Sequence, residues 1–236
     1  MTDSTDKGQP DLSAPLGGQG ADILLKYFSD FSEKQLSQFQ ALEALYTDWN
    51  SKINVISRKD IESLYEKHVL HSLAIAATIP FRNGLELVDI GTGGGFPGVP
   101  LAIFFPNVKF HLVDSIGKKL KIIDAVKEAV GLDNVTTQHT RAEDIKGRKF
   151  DFAVSRAVAP LGDLLRWSRP LLRKTEFRVE EEGGETVYKS GLVCLKGGDL
   201  AAELNESGAK GRPRMIEISS LFEEEWFREK YVVYAQ

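Results

Sequence analysis

The chain has 236 residues, 42% of them hydrophobic, which is enough for a full buried core and points to one domain with an appendage. No apolar run approaches the length of a membrane helix, and the start lacks a basic-then-apolar signal pattern. The single cysteine, Cys194, excludes a disulfide framework, so an inert core thiol in a cytosolic protein is expected. The net charge of −4 conceals an asymmetry, because residues 109–174 carry 14 Lys/Arg against 8 Asp/Glu while the remainder is net −10. One basic region on an acidic body is compatible with nucleic-acid binding at a defined face.

Residues 1–20 are rich in Ser, Asp, Gly, Pro and Gln and read as a disordered tail. Residues 21–80 have helical periodicity and are expected to form an N-terminal helical cap. Ile23, Leu24, Tyr27, Phe28 and Phe31 make one stripe, and Leu36, Phe39, Leu42, Leu45 and Tyr46 a second. A third helix is expected from Asp60, as its cap, through Leu64, Tyr65, Val69, Leu73 and Ile75.

The apolar run 86–90 then ends beside a carboxylate, Asp89, and opens into a loop with glycine at 91, 93, 94, 95 and 98. Such a strand–turn–helix order is built to bring backbone close to a nucleotide-like ligand, with Pro97 suited to the first helical position. The spacing Gly93-x-Gly95-x-x-Gly98 also fits the dinucleotide fingerprint. A carboxylate two residues before Gly91 repels a pyrophosphate, however, and suits a cation such as the sulfonium and ammonium of S-adenosylmethionine. Lys109–Asp114 is a second strand ending in an acid 23 positions after Gly91. That is close to the roughly 20-residue offset of a ribose-binding carboxylate, which does not separate an adenosyl group from NAD.

Strands are predicted at 86–91, 109–114, 135–140, 150–155 and 191–196, with helices near 98–105, 118–130 and 159–172. Two late strands, 214–219 and 230–235, flank a short amphipathic piece, and residues 175–190 suggest an inserted hairpin. The pattern is α/β, a Rossmann-like, mostly parallel sheet with a late antiparallel strand over residues 81–236.

Several separated motifs, in order, resemble the RsmG (glucose-inhibited division protein B) family. They are Trp49-Asn50, Asn54-Val55-Ile56-Ser57, His68-Val69-Leu70-His71-Ser72, and the run from Asp89 to Pro100. Asp114-Ser115 with Lys118-Lys119, Arg141-Ala142-Glu143, Ser155-Arg156-Ala157 and Leu195-Lys196-Gly197 follow, so the likeness spans roughly residues 23–200. The resemblance implies a class I methyltransferase that uses S-adenosylmethionine to methylate N7 of a guanine in 16S, small-subunit ribosomal RNA. It implies cofactor contacts at Gly91 and Phe96, at Ala142 and Glu143, and at Arg156, beside the loop's Asp89 and Gly93 and the strand-end Asp114. His71 stands where the family often has an acid, the 175–190 insertion is long for the family, and the first 20 residues match nothing in it.

No nucleophile–base pair is visible, and the four histidines (68, 71, 111 and 139) do not fit zinc spacing. Guanine N7 carries a lone pair in the neutral ring, so no general base and no metal are expected. The acceptor is expected to be single-stranded or loop RNA, in naked ribosomal RNA or a small-subunit particle, with the enzyme a monomer. Candidate phosphate contacts are Arg58, Lys59, Lys118, Lys119, Arg148 and Lys149. The rival readings are a small-molecule or protein methyltransferase, an NAD(P)-dependent oxidoreductase, and a non-catalytic nucleotide sensor.

Overall fold

The computed structural model describes residues 20–53, 57–156, 158–181 and 184–236. The tail expected over residues 1–20 therefore lies almost wholly outside the described residues, as do Asn54, Val55 and Ile56 and the motif residue Ala157.

Three short or medium helices open the described chain: α1 (Asp22–Leu25), α2 (Glu33–Lys52) and α3 (Arg58–Ile61). A π-helical turn follows (Tyr65–Leu70), running into α4 (His71–Leu73). Next come β1 (Glu86–Ile90), α5 (Gly98–Phe104), β2 (Lys109–Asp114), α6 (Gly117–Val130), β3 (Val135–His139), β4 (Phe152–Arg156) and α7 (Leu161–Ser168). The chain continues through β5 (Glu176–Glu181), β6 (Gly184–Lys189), β7 (Gly191–Gly197), α8 (Ala201–Glu206), β8 (Arg214–Glu217) and β9 (Lys230–Ala235).

Seven strands form one sheet in the order β3-β2-β1-β4-β7-β9-β8. The first five are parallel, whereas β9 runs antiparallel to both β7 and β8. Strand order reverses between β1 and β4, and the carboxyl ends there form the crevice in which open α/β sheets take ligands. Side chains alternate across the sheet: Leu87, Phe110, Phe152 and Val193 enter one core, and Val88, Ala153, Leu192 and Cys194 the other. Burial pushes the Cys194 thiol up to about 12, so it stays protonated and inert. Strands β5 and β6 pair as a separate hairpin, with Phe177 stacked on Tyr188. No helix among the described residues is long and apolar enough to cross a membrane.

The N-terminal helices share the first core. Ser32 and Gln35 form a capping box at the start of α2, and the Gln35 amide reaches the carbonyls of Ile103 and Phe104 at the end of α5. Gln38 caps the end of α6 through the Val130 carbonyl. One polar residue per turn thus satisfies a helix terminus that would otherwise be buried without partners.

Four elements depart from the sequence expectations. The Tyr27–Phe31 stripe is not helical beyond α1, because the Tyr27 hydroxyl donates to Glu224 while Phe28 and Phe31 pack on Phe104. Ser57, not Asp60, caps the third helix: its hydroxyl oxygen accepts the Asp60 amide, and that helix breaks into α3 and the π-turn. The first late strand stops at Glu217, and Ile218–Ser220 coil into a 3-10 turn. Helix α8 had no counterpart in the sequence reading.

Candidate active site

The turn after β1 is shaped by glycines with positive φ: Gly91 (+68°), Gly93 (+60°) and Gly95 (+102°). Side chains are strained in that region, and at Gly95 a Cβ would also press into Val99 and the Tyr46 hydroxyl. Beneath the turn lies Asp89, fully buried. One carboxylate oxygen, Oδ2, accepts the Thr92 hydroxyl at 2.6 Å and the Gly98 amide at 2.9 Å, which ties β1 to the first residue of α5. A Cβ at Gly98 would stand 2.7 Å from that oxygen, so glycine is what allows the helix to dock there. Pro97 sits at the N-cap, one residue before the helical position predicted for it.

Asp114, at the end of β2, is the second anchor. Its Oδ2 accepts the Gly93 amide at 2.9 Å and its Oδ1 accepts the Ile116 amide at 2.8 Å. Lys119 approaches the same carboxylate at 3.9 Å. The two acids divide the loop between them, Asp89 holding it from below and Asp114 from the side.

A cavity of about 380 Å³ opens at the carboxyl ends of β1 and β2, within the roughly 300–1,000 Å³ range of small-molecule sites. Of the residues expected to hold a cofactor, Gly91, Asp114, Ala142 and Glu143 line it. Ala142 and Glu143 arrive on a 3-10 turn, Ala142–Asp144, that follows β3. A Cβ on Gly91 would collide with Val158 at 2.8 Å, so the glycine keeps this wall open.

Asp89, Gly93, Phe96 and Arg156 do not line this cavity. The glycine turn reverses the chain, leaving Gly91 on the cavity wall and burying Phe96 behind the loop, 2% exposed. Phe96 packs between Tyr46 (ring centroids 4.9 Å) and His68 (5.1 Å), with the Arg156 guanidinium 5.0 Å above its ring. Tyr46 also donates its hydroxyl to the Gly94 carbonyl at 2.6 Å, fastening α2 to the loop. Burial pushes the Asp89 carboxyl up to about 7, opposed by its bonds from Thr92 and Gly98. Burial likewise lowers Arg156 to about 10, with Asp89 and Tyr46 opposing.

Sequence reasoning missed Ile116, Val158 and Trp167 on the cavity wall. Ile116 and Val158 are 43% and 45% exposed, and an apolar residue in the link between a strand's carboxyl end and the next helix was the available signal. Trp167 carried none beyond its place on an amphipathic helix.

The basic candidates divide. Arg58 and Lys59 belong to α3, but their side chains lie outside the described residues. Lys118 is exposed at the start of α6, whereas Lys119 turns into the cavity. Arg148 and Lys149 precede β4 and so lie at the amino-terminal rim of the sheet, away from the cavity. There Arg148 donates to the His111 ring at 2.9 Å and covers Phe150, while Lys149 donates to the Pro170 carbonyl. Strand polarity places those two on the rim opposite the cavity.

The GidB family model, described as rRNA small subunit methyltransferase G, matches residues 35–182. The chain is 53% identical over 213 residues to the ribosomal RNA small subunit methyltransferase G of Phocaeicola vulgatus, covering 90% of this chain and 97% of that protein. It is 53% identical over 223 residues to the protein of the same name from Porphyromonas gingivalis, at 94% and 95% coverage. A SAM-dependent methyltransferase from Aquifex aeolicus shares the fold at a TM-score of 0.51 and 15% identity, covering 76% of this chain and 98% of that one. The resemblance read from the motifs is borne out, and this chain belongs to the GidB, or rRNA small subunit methyltransferase G, family.

Proposed function

We propose that this chain transfers a methyl group from S-adenosylmethionine to N7 of a guanine in 16S ribosomal RNA, with the donor seated in the cavity beside Gly91. Family membership makes it a methyltransferase that uses this donor. The observation carrying the placement is the joint lining of one cavity by Gly91, Asp114 and Ala142 at the carboxyl ends of neighbouring parallel strands. The fit is chemical as well as spatial. Asp114 lies at the strand end where a ribose diol is met, and its lone pairs are not exhausted by two amides. Ala142 leaves space for a flat ring, with Ile116 and Trp167 as apolar walls.

When bound, the donor supplies an electrophilic methyl on a sulfonium, and guanine N7 already holds the attacking lone pair. The protein's part is therefore alignment and electrostatics. Gly91 lets the wall stay low enough for the reacting groups to meet. Asp89 holds the turn rigid through the bonds it accepts from Thr92 and Gly98. No side chain is required to remove a proton.

The acceptor leaves its stack to reach this crevice, which favours a loop or junction of the RNA, either naked or in a small-subunit particle. Lys118 and, in α3, Arg58 and Lys59 remain the candidates for phosphate contact. A site assembled from one chain's elements goes with action as a monomer, and a ribosomal substrate goes with a cytoplasmic enzyme. Incubation with labelled donor and ribosomal RNA lacking the mark, followed by mass mapping, is expected to place one 7-methylguanosine. Methyl on another atom, or on protein or small molecules alone, overturns the reading.

A further inference from the structure

The motif Leu195-Lys196-Gly197 ends β7, and none of its residues lines the donor cavity. Lys196 is nonetheless buried, 9% exposed. Its ammonium donates to the Ala159 carbonyl and pairs with Glu203 of α8 at 2.6 Å. The same carboxylate oxygen, Glu203 Oε1, accepts the Leu161 amide. The pair therefore holds the connection between β4 and α7 on both sides of Pro160, from a strand and a helix distant in sequence. An apolar pair of similar volume often holds a core as well or better, so what these charges add is direction.

What that direction controls is one residue away. Val158, next to Ala159, closes on Gly91 and lines the donor cavity, yet it is 45% exposed. Gly91, Asp114 and Ala142 reach the cavity from the β1, β2 and β3 side, whereas Val158 comes from across the reversal of strand order. It brings an open apolar face to the lip. A wall shared by the donor and by the group that meets its methyl must stand at a fixed height. An ångström of error at such a place costs about 100-fold in rate.

Resting on the methyl transfer proposed above, we infer that Lys196 and Glu203 are positioning residues for that reaction. By fixing the backbone at Ala159 and Leu161, they set Val158 as the stop against which the acceptor guanine rests beside the donor. Neither side chain lines the cavity, so their effect on the transfer passes through Val158.

The test measures single-turnover methylation of unmodified ribosomal RNA at saturating donor and RNA, with S-adenosylhomocysteine affinity read by calorimetry on the same proteins. Lys196→Met, which loses both contacts at similar length, is expected to slow transfer about 100-fold while the affinity changes less than about threefold. Glu203→Ala is expected to behave alike. Glu203→Gln, whose amide oxygen accepts both bonds, is expected to recover the rate to within about fivefold. Val158→Ala, which cuts back the stop itself, should slow the transfer too, and adding it to Lys196→Met should slow it little further. Losses that multiply overturn the assignment, as does a Lys196→Met rate within about threefold of wild type, or an equal fall in rate and in affinity. Should Lys196→Met fail to fold, Glu203→Ala, alone and with Val158→Ala, decides in its place. Wild-type enzyme that puts no methyl on ribosomal RNA instead overturns the functional reading, whatever the pair does.

Discussion

The two sides of the glycine loop are built on opposite principles. On the cavity side every polar anchor is satisfied: Asp114 takes two backbone amides and still faces solvent-accessible space. On the far side Asp89, His68 and His71 are closed in by aromatic rings, and each keeps one atom unpaired. A satisfied, open wall suits a diffusible cofactor that must enter and leave. An enclosed wall, closed by rings, holds the loop from behind. The loop between them is the common hinge, so substitutions sort by which side they disturb.

The largest effect is expected at the seam. Gly98→Ala pushes a methyl to 2.7 Å from Asp89 Oδ2 and 2.8 Å from Leu112, both fully buried, so neither side can give way. A loss of about 3 kcal/mol in urea unfolding is expected, with both donor and RNA functions impaired. A loss below about 1 kcal/mol would show that α5 docks without this contact.

Asp114→Asn addresses the cavity side alone. The amide group keeps the shape but removes the charge that two backbone donors and Lys119 face. Affinity for S-adenosylhomocysteine is expected to fall about 30-fold, about 2 kcal/mol, by calorimetry. An unchanged affinity would remove Asp114 from the donor site.

The far side carries a pH signature. Folded His68 titrates near 3 against 6.5 unfolded, chiefly through burial, so protonation favours the unfolded chain. Its contribution is intact above about 6.5 and is lost as pH falls from there towards 3. His71 shifts in the same direction for the same reason. Asp89 runs the other way: its raised value makes stability fall as pH rises from about 4 to about 7. Moving from pH 7 to 5.5 is expected to cost wild type about 1.4 kcal/mol more than His68→Phe, read from unfolding midpoints. Asp89→Asn should steepen the acid loss, because it removes the opposing group.

The cavity side was largely legible in the sequence, and the far side was not. Gly91 and Asp114 each carried a local signal, a glycine turn and a strand-end acid at a fixed offset, whereas Ala142 came with the family resemblance. Phe96 and Arg156 came with the family resemblance; Phe96, just after the positive-φ Gly95, is buried behind the loop, and Arg156, at the end of β4, lies over its ring. Burial behind a turn depends on what packs there, here Tyr46 from α2 and His68 from the π-turn, and neither is adjacent in sequence. The break in the third helix was hidden for a related reason. Asp60 read as the cap, and the structure uses Ser57 instead, whose hydroxyl then binds Asp60. Helix α8 had one available signal, Asp199, whose carboxylate accepts the Ala201 amide, but six residues are too few for a period to show.

Charge was the least legible feature, and it gives the smallest prediction. Residues 109–174 are basic on average, but an average does not record which rim of a sheet a residue occupies. Lys118 stands exposed just after β2, on the cavity rim, whereas Arg148 enters β4 from the opposite rim and is committed to His111 and Phe150. Lys118→Glu is therefore expected to reduce the slope of log affinity for ribosomal RNA against log salt by about one. Arg148→Ala should leave that slope unchanged and cost about 0.5–1 kcal/mol of stability, the scale of its stacking on Phe150. Filter binding at four salt concentrations separates the two. Should Arg148→Ala flatten the slope and Lys118→Glu not, the RNA approaches the amino-terminal rim, and the cavity beside Gly91 is not where its guanine enters.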